Sequence, residues 1–275
     1  MITGEPRTMP VHELAKAAEE RGFHSLYVPE HTHIPVSRET PPPTGEAELP
    51  EYYVRTLDPL VALAAAAAVT RSIRLGTGVC LLAQREPIVT AKAIATLDAL
   101  SGGRFVLGAG YGWNREEMAD HGVDPRERRA RLREHVLAMR ALWVDEVAAY
   151  EGEFVRFAPS WSWPKPVSGP PVLLGGAAGP TLFAHIAEFA DGWLPIGGAG
   201  VREALPRLHA AAEDAGRDPA ALAVVPFGTV PSRGKLEYYA GLGIAEVVLR
   251  LPDGTRDAVL RGLDEYAAHL THVSG

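Results

Sequence analysis

Several things are scarce in this sequence, and each scarcity excludes something. There is one cysteine, Cys80, among 275 residues, so a disulfide framework and any zinc site built on thiolates are ruled out, and a reducing compartment fits. Positive charge is not in excess. The 27 Lys+Arg stand against 34 Asp+Glu, a net charge of −7, which makes nucleic acid and anionic membranes unexpected partners. Long apolar runs are missing: the longest, 61–69, is mostly alanine and far too short for a bilayer. The opening residues Met1-Ile2-Thr3-Gly4-Glu5-Pro6-Arg7 have no apolar core of the kind a signal peptide needs. A cytoplasmic location is the expectation.

What remains is an ordinary folding composition, 47% hydrophobic and 22% charged. The length suits one α/β barrel or two small domains. Short β-branched or aliphatic runs recur at 25–28, 73–76, 105–107, 172–174, 192–195, 222–225 and 246–251. Stretches with helical spacing separate them, marked by Val11, Leu14, Ala15 and Ala18, by Ile88, Ala91, Ile94 and Ala95, by Leu132, Val136, Met139 and Trp143, and by Val259, Leu263, Tyr266 and Leu270. Asp58-Pro59 and Asp124-Pro125 are helix-start signals, and Gly22, Gly102 and Gly216 are stop signals. Such alternation implies a parallel sheet with right-handed crossovers. Seven strands are one short of a closed (β/α)8 barrel, so the first is missing or reduced to Met1–Thr3; an open doubly wound sheet would tolerate seven. Two stretches break the rhythm. Residues 31–55 form a long proline-rich loop with Tyr52 and Tyr53, a lid by length. Residues 148–171 read as an insertion containing a hairpin around Glu151-Gly152-Glu153.

The residues able to carry chemistry fall at predicted strand ends. Glu30-His31-Thr32-His33 follows the first strand, where the loops of an α/β barrel converge on the active site. His31 and His33 form an H-x-H pair like that of metal-dependent barrel hydrolases, but the later strand ends bring glycines in place of further ligands, with only Asp253 as a plausible acid; no metal is expected. Gly76-Thr77-Gly78-Val79-Cys80 permits close approach of a flat ligand, with Cys80 read as a buried structural thiol. Gly108-Ala109-Gly110-Tyr111-Gly112-Trp113-Asn114 lacks the spacing of a dinucleotide fingerprint. Asn114 is either a ring-edge partner or a helix N-cap. Gly175-Gly176-Ala177-Ala178-Gly179-Pro180 presents backbone N–H groups ahead of a helix, either an anion site or a tight turn. Ile196-Gly197-Gly198 ends the next strand. Shared placement at strand ends points to one site, with a planar ring near His31, Gly78 and Asn114 and a phosphate near Gly176.

These residues also carry a resemblance. Ala17-Ala18-Glu19-Glu20-Arg21-Gly22-Phe23-His24-Ser25-Leu26-Tyr27-Val28-Pro29-Glu30-His31 resembles the opening of the luciferase-like monooxygenase superfamily. So do Ile73-Arg74-Leu75-Gly76-Thr77-Gly78-Val79, Leu97-Asp98-Ala99-Leu100-Ser101-Gly102-Gly103-Arg104-Phe105 and Ala190-Asp191-Gly192-Trp193. Gly110-Tyr111-Gly112-Trp113-Asn114 and Trp161-Ser162-Trp163-Pro164-Lys165-Pro166 are similar to its branch of probable coenzyme F420-dependent oxidoreductases. The resemblance covers almost the whole chain. It implies a single luciferase-like (β/α)8 TIM barrel over 1–275 and a deazaflavin or flavin at the C-terminal mouth. It further implies a non-prolyl cis peptide at Gly78–Val79 behind the ring, His31 beside it, Asn114 on its polar edge, and Gly176 to Gly179 on the phosphate. Gly110, Gly175 and Gly197 are expected to border the same cofactor. In F420-dependent sugar dehydrogenases of the superfamily a catalytic glutamate occupies the position held here by Tyr111, so that mechanism does not carry over.

The expected function is hydride transfer between F420 and an unidentified small organic substrate, with His31 as acid or base and Glu30 orienting it. Tyr52, Tyr53, Tyr111, Trp113 and Trp161 are candidates for an apolar substrate wall. The rivals are a monooxygenase using reduced FMN and O2, and a non-catalytic flavin-binding protein. Free basic residues near the mouth, Arg85 or Lys165, would favour F420 with its acidic tail. Members of the superfamily are often dimers, so a homodimer is a further expectation.

Overall fold

The computed structural model describes residues 9–270 except 44, 46, 47 and 253. In chain order it contains α1 (Val11–Glu20), β1 (Ser25–Val28), α2 (Pro59–Val69), β2 (Arg74–Thr77), α3 (Pro87–Ser101), β3 (Phe105–Gly110), α4 (Arg115–Asp120), α5 (Arg128–Val144), β4 (Ala148–Glu151) and β5 (Arg156–Ser160). Then follow β6 (Val172–Gly175), α6 (Pro180–Phe189), β7 (Gly192–Leu194), α7 (Val201–Asp214), β8 (Ala223–Val224), β9 (Phe227–Thr229), α8 (Arg233–Ala240), β10 (Val248–Leu249) and α9 (Arg256–Ala267).

Local chemistry sets the boundaries. The Asp58 carboxylate accepts the N–H groups of Leu60 and Val61 at the start of α2, with Pro59 in the first turn. Glu86 caps α3 in the same way. The Asp124-Pro125 signal is displaced: Asp124 accepts from Arg126 in a turn, and α5 begins at Arg128.

Six strands form one parallel sheet in the order β1-β2-β3-β6-β7-β8. At its far end Phe227 N–H donates to Pro195 O (2.8 Å) and Val248 N–H to Pro226 O (2.8 Å), so β9 and β10 continue the curl. The strand predicted at 222–225 is β8; past Pro226, which has no N–H to give a ladder, it continues as β9, which the prediction did not reach. Parallel strands covered on both faces are apolar on both. Outward residues such as Leu26, Leu75, Leu107 and Leu174 meet the helices, while Tyr27, Val106, Leu173, Leu194 and Val225 meet one another inside the curl.

The result is an α/β half-barrel. Among the described residues no backbone ladder joins β10 to β1. Instead the Ser25 and Tyr27 hydroxyls donate to Glu246 Oε1 (2.6 and 3.4 Å), whose other oxygen pairs with Arg74 at 3.0 Å. A closed barrel is therefore not what these residues alone form, and the expected first strand at Met1–Thr3 lies outside the described residues. The expected hairpin is present as β4 and β5, antiparallel. No helix among the described residues is long and apolar enough to cross a membrane.

Candidate active site

The C-terminal ends of β1, β2, β3 and β6 open into one cavity of about 630 Å3. His31, Gly78, Val79, Gly110, Tyr111, Trp113, Gly175 and Gly176 all line it, with Tyr52 and Tyr53 from the 31–55 loop above. The strand-end residues singled out in the sequence thus converge from four strands. The cavity continues between α1 and α9, where Leu14, Ala18, Leu263 and Tyr266 make it apolar.

Its floor follows from small residues. The Gly78–Val79 peptide is cis. A Cβ on Gly110 would stand 2.3 Å from Val79 Cγ2, and one on Gly175 would stand 2.8 Å from Val79 Cγ1. Glycine at these two positions leaves the Val79 side chain somewhere to go, so the 78–79 backbone can form a flat wall.

His31 is the polar centre of the wall, with its side chain only 7% exposed. Its Nδ1 lies 2.7 Å from Glu117 Oε2, and the Trp113 indole N–H donates to its Nε2 at 3.2 Å. A carboxylate accepts only, so the Nδ1 carries the hydrogen and Nε2 is left as an acceptor. Thr56 Oγ1 accepts from His31 N–H (3.1 Å) and donates to His31 O (2.9 Å), which fixes the backbone. The Tyr53 ring sits 5.5 Å from the imidazole.

Glu30 lines the cavity but does not orient His31. Its carboxylate is taken by Leu81 N–H (2.7 Å) and Arg85 Nε (2.6 Å), and Arg85 also reaches Asp58 at 2.6 Å. The orienting carboxylate is Glu117, which sequence reasoning passed over. Its signal was hidden: Asn114 followed three residues later by Glu117 has the form of a capping box. Asn114 does accept from Glu117 N–H at 3.5 Å, yet the Glu117 side chain turns to the other element. Asn114 is fully buried as a helix cap behind the wall and does not line the cavity, which corrects its expected contact with the ring edge.

Beyond Gly176 the chain turns outward through exposed Ala177 and Ala178 to Gly179, which starts α6 without any side-chain cap. Uncapped N–H groups and the helix dipole are what attracts an anion to a helix start; of this turn only Gly175 and Gly176 line the cavity, and Ala177, Ala178 and Gly179 lie beyond it. Trp193 Nε1–H donates to Gly176 O at 2.9 Å and holds this turn. Gly197 is not part of the wall: its N–H is spent on Phe227 O (2.7 Å), and its neighbour Ile196 lines the cavity.

Tyr111 lines the cavity and its hydroxyl is 2.9 Å from His185 Nδ1. Burial pushes the Tyr111 phenol up to about 12, and burial also lowers the His185 imidazole. Trp161 is 77% exposed after β5, outside the cavity, which removes it from the expected substrate wall. Arg85 is committed to its two carboxylates, and Lys165 Nζ donates to the carbonyls of Leu142 and Asp145, so neither is a free cation at the mouth. Arg129 is placed better, 5.7 Å above the Tyr111 ring. Cys80 is buried and burial raises its thiol, in keeping with a structural role.

The architecture can be set beside known proteins. The family model of the luciferase-like monooxygenases matches residues 2–237, and the chain belongs to that family. It is 48% identical over 260 residues to an uncharacterised protein of Mycobacterium tuberculosis, covering 93% of this chain and 92% of that one. It is 30% identical over 227 residues to the pyrimidine monooxygenase RutA of Allorhizobium ampelinum, and 32% identical over 220 residues to an F420-dependent glucose-6-phosphate dehydrogenase of Nakamurella multipartita. Those two matches cover 78% and 74% of this chain but only 59% and 58% of the relatives. Two solved structures share the fold. Monooxygenase RslO1 from Streptomyces bottropensis gives a TM-score of 0.79 at 24% identity, over 96% of this chain and 93% of its own. An F420-dependent secondary alcohol dehydrogenase gives 0.77 at 19% identity, over 98% and 96%.

Proposed function

We propose that this family member is an oxidoreductase that moves a hydride between coenzyme F420 and a small organic substrate bound beneath the 31–55 loop. The carrying observation is the convergence, in one cavity, of a histidine with a defined tautomer, a flat glycine-relieved wall and Gly176, which leads in three residues to an uncapped helix start. Those three features fit a tricyclic ring and its phosphate: the wall at Gly78–Val79 has room for the ring, and Gly176, Ala177, Ala178 and Gly179 lead to N–H groups for the phosphate. Support for F420 comes from the glucose-6-phosphate dehydrogenase relative and from Arg129 beside Tyr111, a cation near the cavity for an acidic tail.

When bound, the deazaflavin supplies the hydride chemistry, and the chain supplies position, proton handling and exclusion of water. Glu117 holds His31 with Nε2 toward the cavity. A substrate hydroxyl that displaces the Trp113 indole from Nε2 would give its proton to that nitrogen as the carbon is oxidised; in the reverse direction the protonated ring returns it. Tyr53 and Trp113 flank the imidazole and keep the place apolar. Glu30 acts one layer back, holding the turn at Leu81 through its amide.

Within this reading the half-barrel supplies seven strands of a single (β/α)8 domain, the protein works in the cytoplasm, and the partner is a small molecule, with a homodimer as its assembly. Titrating the purified chain with F420 and with FMN tests the choice. Tight F420 binding with weak FMN binding is expected, followed by turnover with a carbonyl or alcohol panel; tight FMN binding alone overturns it. The second reading, a monooxygenase using reduced FMN and O2, has the pyrimidine monooxygenase relative in its favour, because ring wall and phosphate turn suit both cofactors.

A further inference from the structure

The two histidines of the H-x-H pair part company in the folded chain. His31 turns into the cavity, while His33 turns to the outer side and meets α4. There the ligand atoms of His33, Glu117 and His121 all lie within 4.8 Å of one another. We infer that these three side chains form a zinc site, outside the cavity, that fastens the first residues of the 31–55 loop to α4.

The Thr32 hydroxyl marks the point on which the donors converge. Its Oγ1 lies 2.6 Å from His121 Nε2, 3.0 Å from His33 Nδ1 and 3.5 Å from Glu117 Oε1. One small polar atom is therefore ringed by two imidazole nitrogens and a carboxylate oxygen. Turning the threonine about its Cα–Cβ bond and drawing in the exposed His33 and His121 brings that set toward the roughly 2.0–2.2 Å bonds of tetrahedral zinc, with water in fourth place. Two imidazoles and one carboxylate select zinc over magnesium or calcium, which favour oxygen donors throughout.

The outer contacts are those of a metal centre as well. His33 uses Nε2 toward Asp120 Oδ2 at 3.0 Å, so its Nδ1 is the nitrogen left for an ion. A carboxylate on the far nitrogen of a ligating histidine fixes the tautomer and raises ligand basicity. Glu117, fully buried, places its second oxygen on His31, so an ion here would share that carboxylate with the cavity histidine.

The test is zinc chloride titrated into the full-length protein by calorimetry, with metal content measured after dialysis. One zinc per chain is expected. His33→Gln and His121→Gln should each abolish it, Asp120→Ala should weaken it about 10–100-fold, and Thr32→Ala should tighten it by clearing the centre. Melting curves without zinc verify that each variant is folded. No stoichiometric zinc in the parent chain, or undiminished binding in both histidine variants, overturns the proposal. Neither readout depends on which redox cofactor the cavity takes.

Discussion

His31 Nδ1 and Glu117 Oε2 are 2.7 Å apart, a contact that spans 86 residues of sequence and joins the end of β1 to α4. Because the acid accepts only, it dictates that the ring hydrogen sits on Nδ1 and leaves Nε2, beside the Trp113 indole, as the acceptor. Glu117→Gln keeps the shape but lets the amide N–H2 face Nδ1, which favours the other tautomer and removes the Nε2 lone pair from the cavity. Turnover should fall about 10²–10⁴-fold with cofactor affinity little changed. Single-turnover kinetics at saturating cofactor checks this; parental rates in the variant would sink the assignment of a proton role to His31.

The floor of the cavity gives a second test. Gly110→Ala would drive a methyl into Val79, whereas Gly108→Ala would set one 1.9 Å from Thr77 O, a backbone atom that cannot step aside. The first variant should fold and bind cofactor poorly, and adding Val79→Ala should restore binding. The second should lose about 3 kcal/mol of stability or more. Cofactor titration and urea denaturation of the three chains separate the two effects; failure of Val79→Ala to rescue would show that the wall is not set by that side chain.

Glu30 is 2% exposed at its side chain and has Arg85 as its only cationic partner among the described residues. Arg85→Ala strands a buried carboxylate, at a cost of about 3 kcal/mol. Glu30→Gln combined with Arg85→Met should recover part of the loss, since the charge to be stranded is gone. Denaturation midpoints measure both, and equal losses in the single and double variants would mean that packing, not charge, dominates there.

Glu19, at the end of α1, accepts from the amides of Arg71, Ser72 and Ile73 ahead of β2. Burial pushes its carboxyl up, but those amides and the Ser72 hydroxyl outweigh burial and hold it at about 2, below its ordinary 4.5. A depressed folded value means stabilisation present above pH 4.5 and lost as pH falls toward 2. Glu19→Gln should therefore be less stable by about 1 kcal/mol near neutrality, allowing for solvent screening, and equal to the parent near pH 2. Urea midpoints across that range report it; a gap that stays constant down to pH 2 would rule out ionisation as its source.

Much of this was readable before folding, and the failures share one cause. Strand–helix alternation located the parallel sheet, and the glycine clusters at 76–78, 108–112 and 175–179 marked strand ends that line one cavity. Adjacency in sequence points to Glu30 as the partner of His31, but successive side chains on an extended segment point opposite ways. The true partner sits on a helix that no local pattern ties to residue 31. Asn114 is the helix cap that the sequence offers as one alternative, while nothing local marks Glu117 for His31; periodicity cannot say which polar side chain a helix hands to a distant element. Residue type alone groups Trp161 with the cavity aromatics, yet it follows β5 outside the cavity and is 77% exposed.

The five tryptophans are distributed so that the molecule carries its own optical gauge. Trp143 and Trp193 are buried with their indole N–H groups bonded to Ala91 O and Gly176 O, Trp161 and Trp163 face water, and Trp113 alone lines the cavity beside His31. Blue-edge emission from the interior pair and red-edge emission from the solvent pair bracket the signal of Trp113. A chromophore entering the cavity lies nearest that one indole, so unlabelled protein can report occupancy by the spectral shape of its quenching.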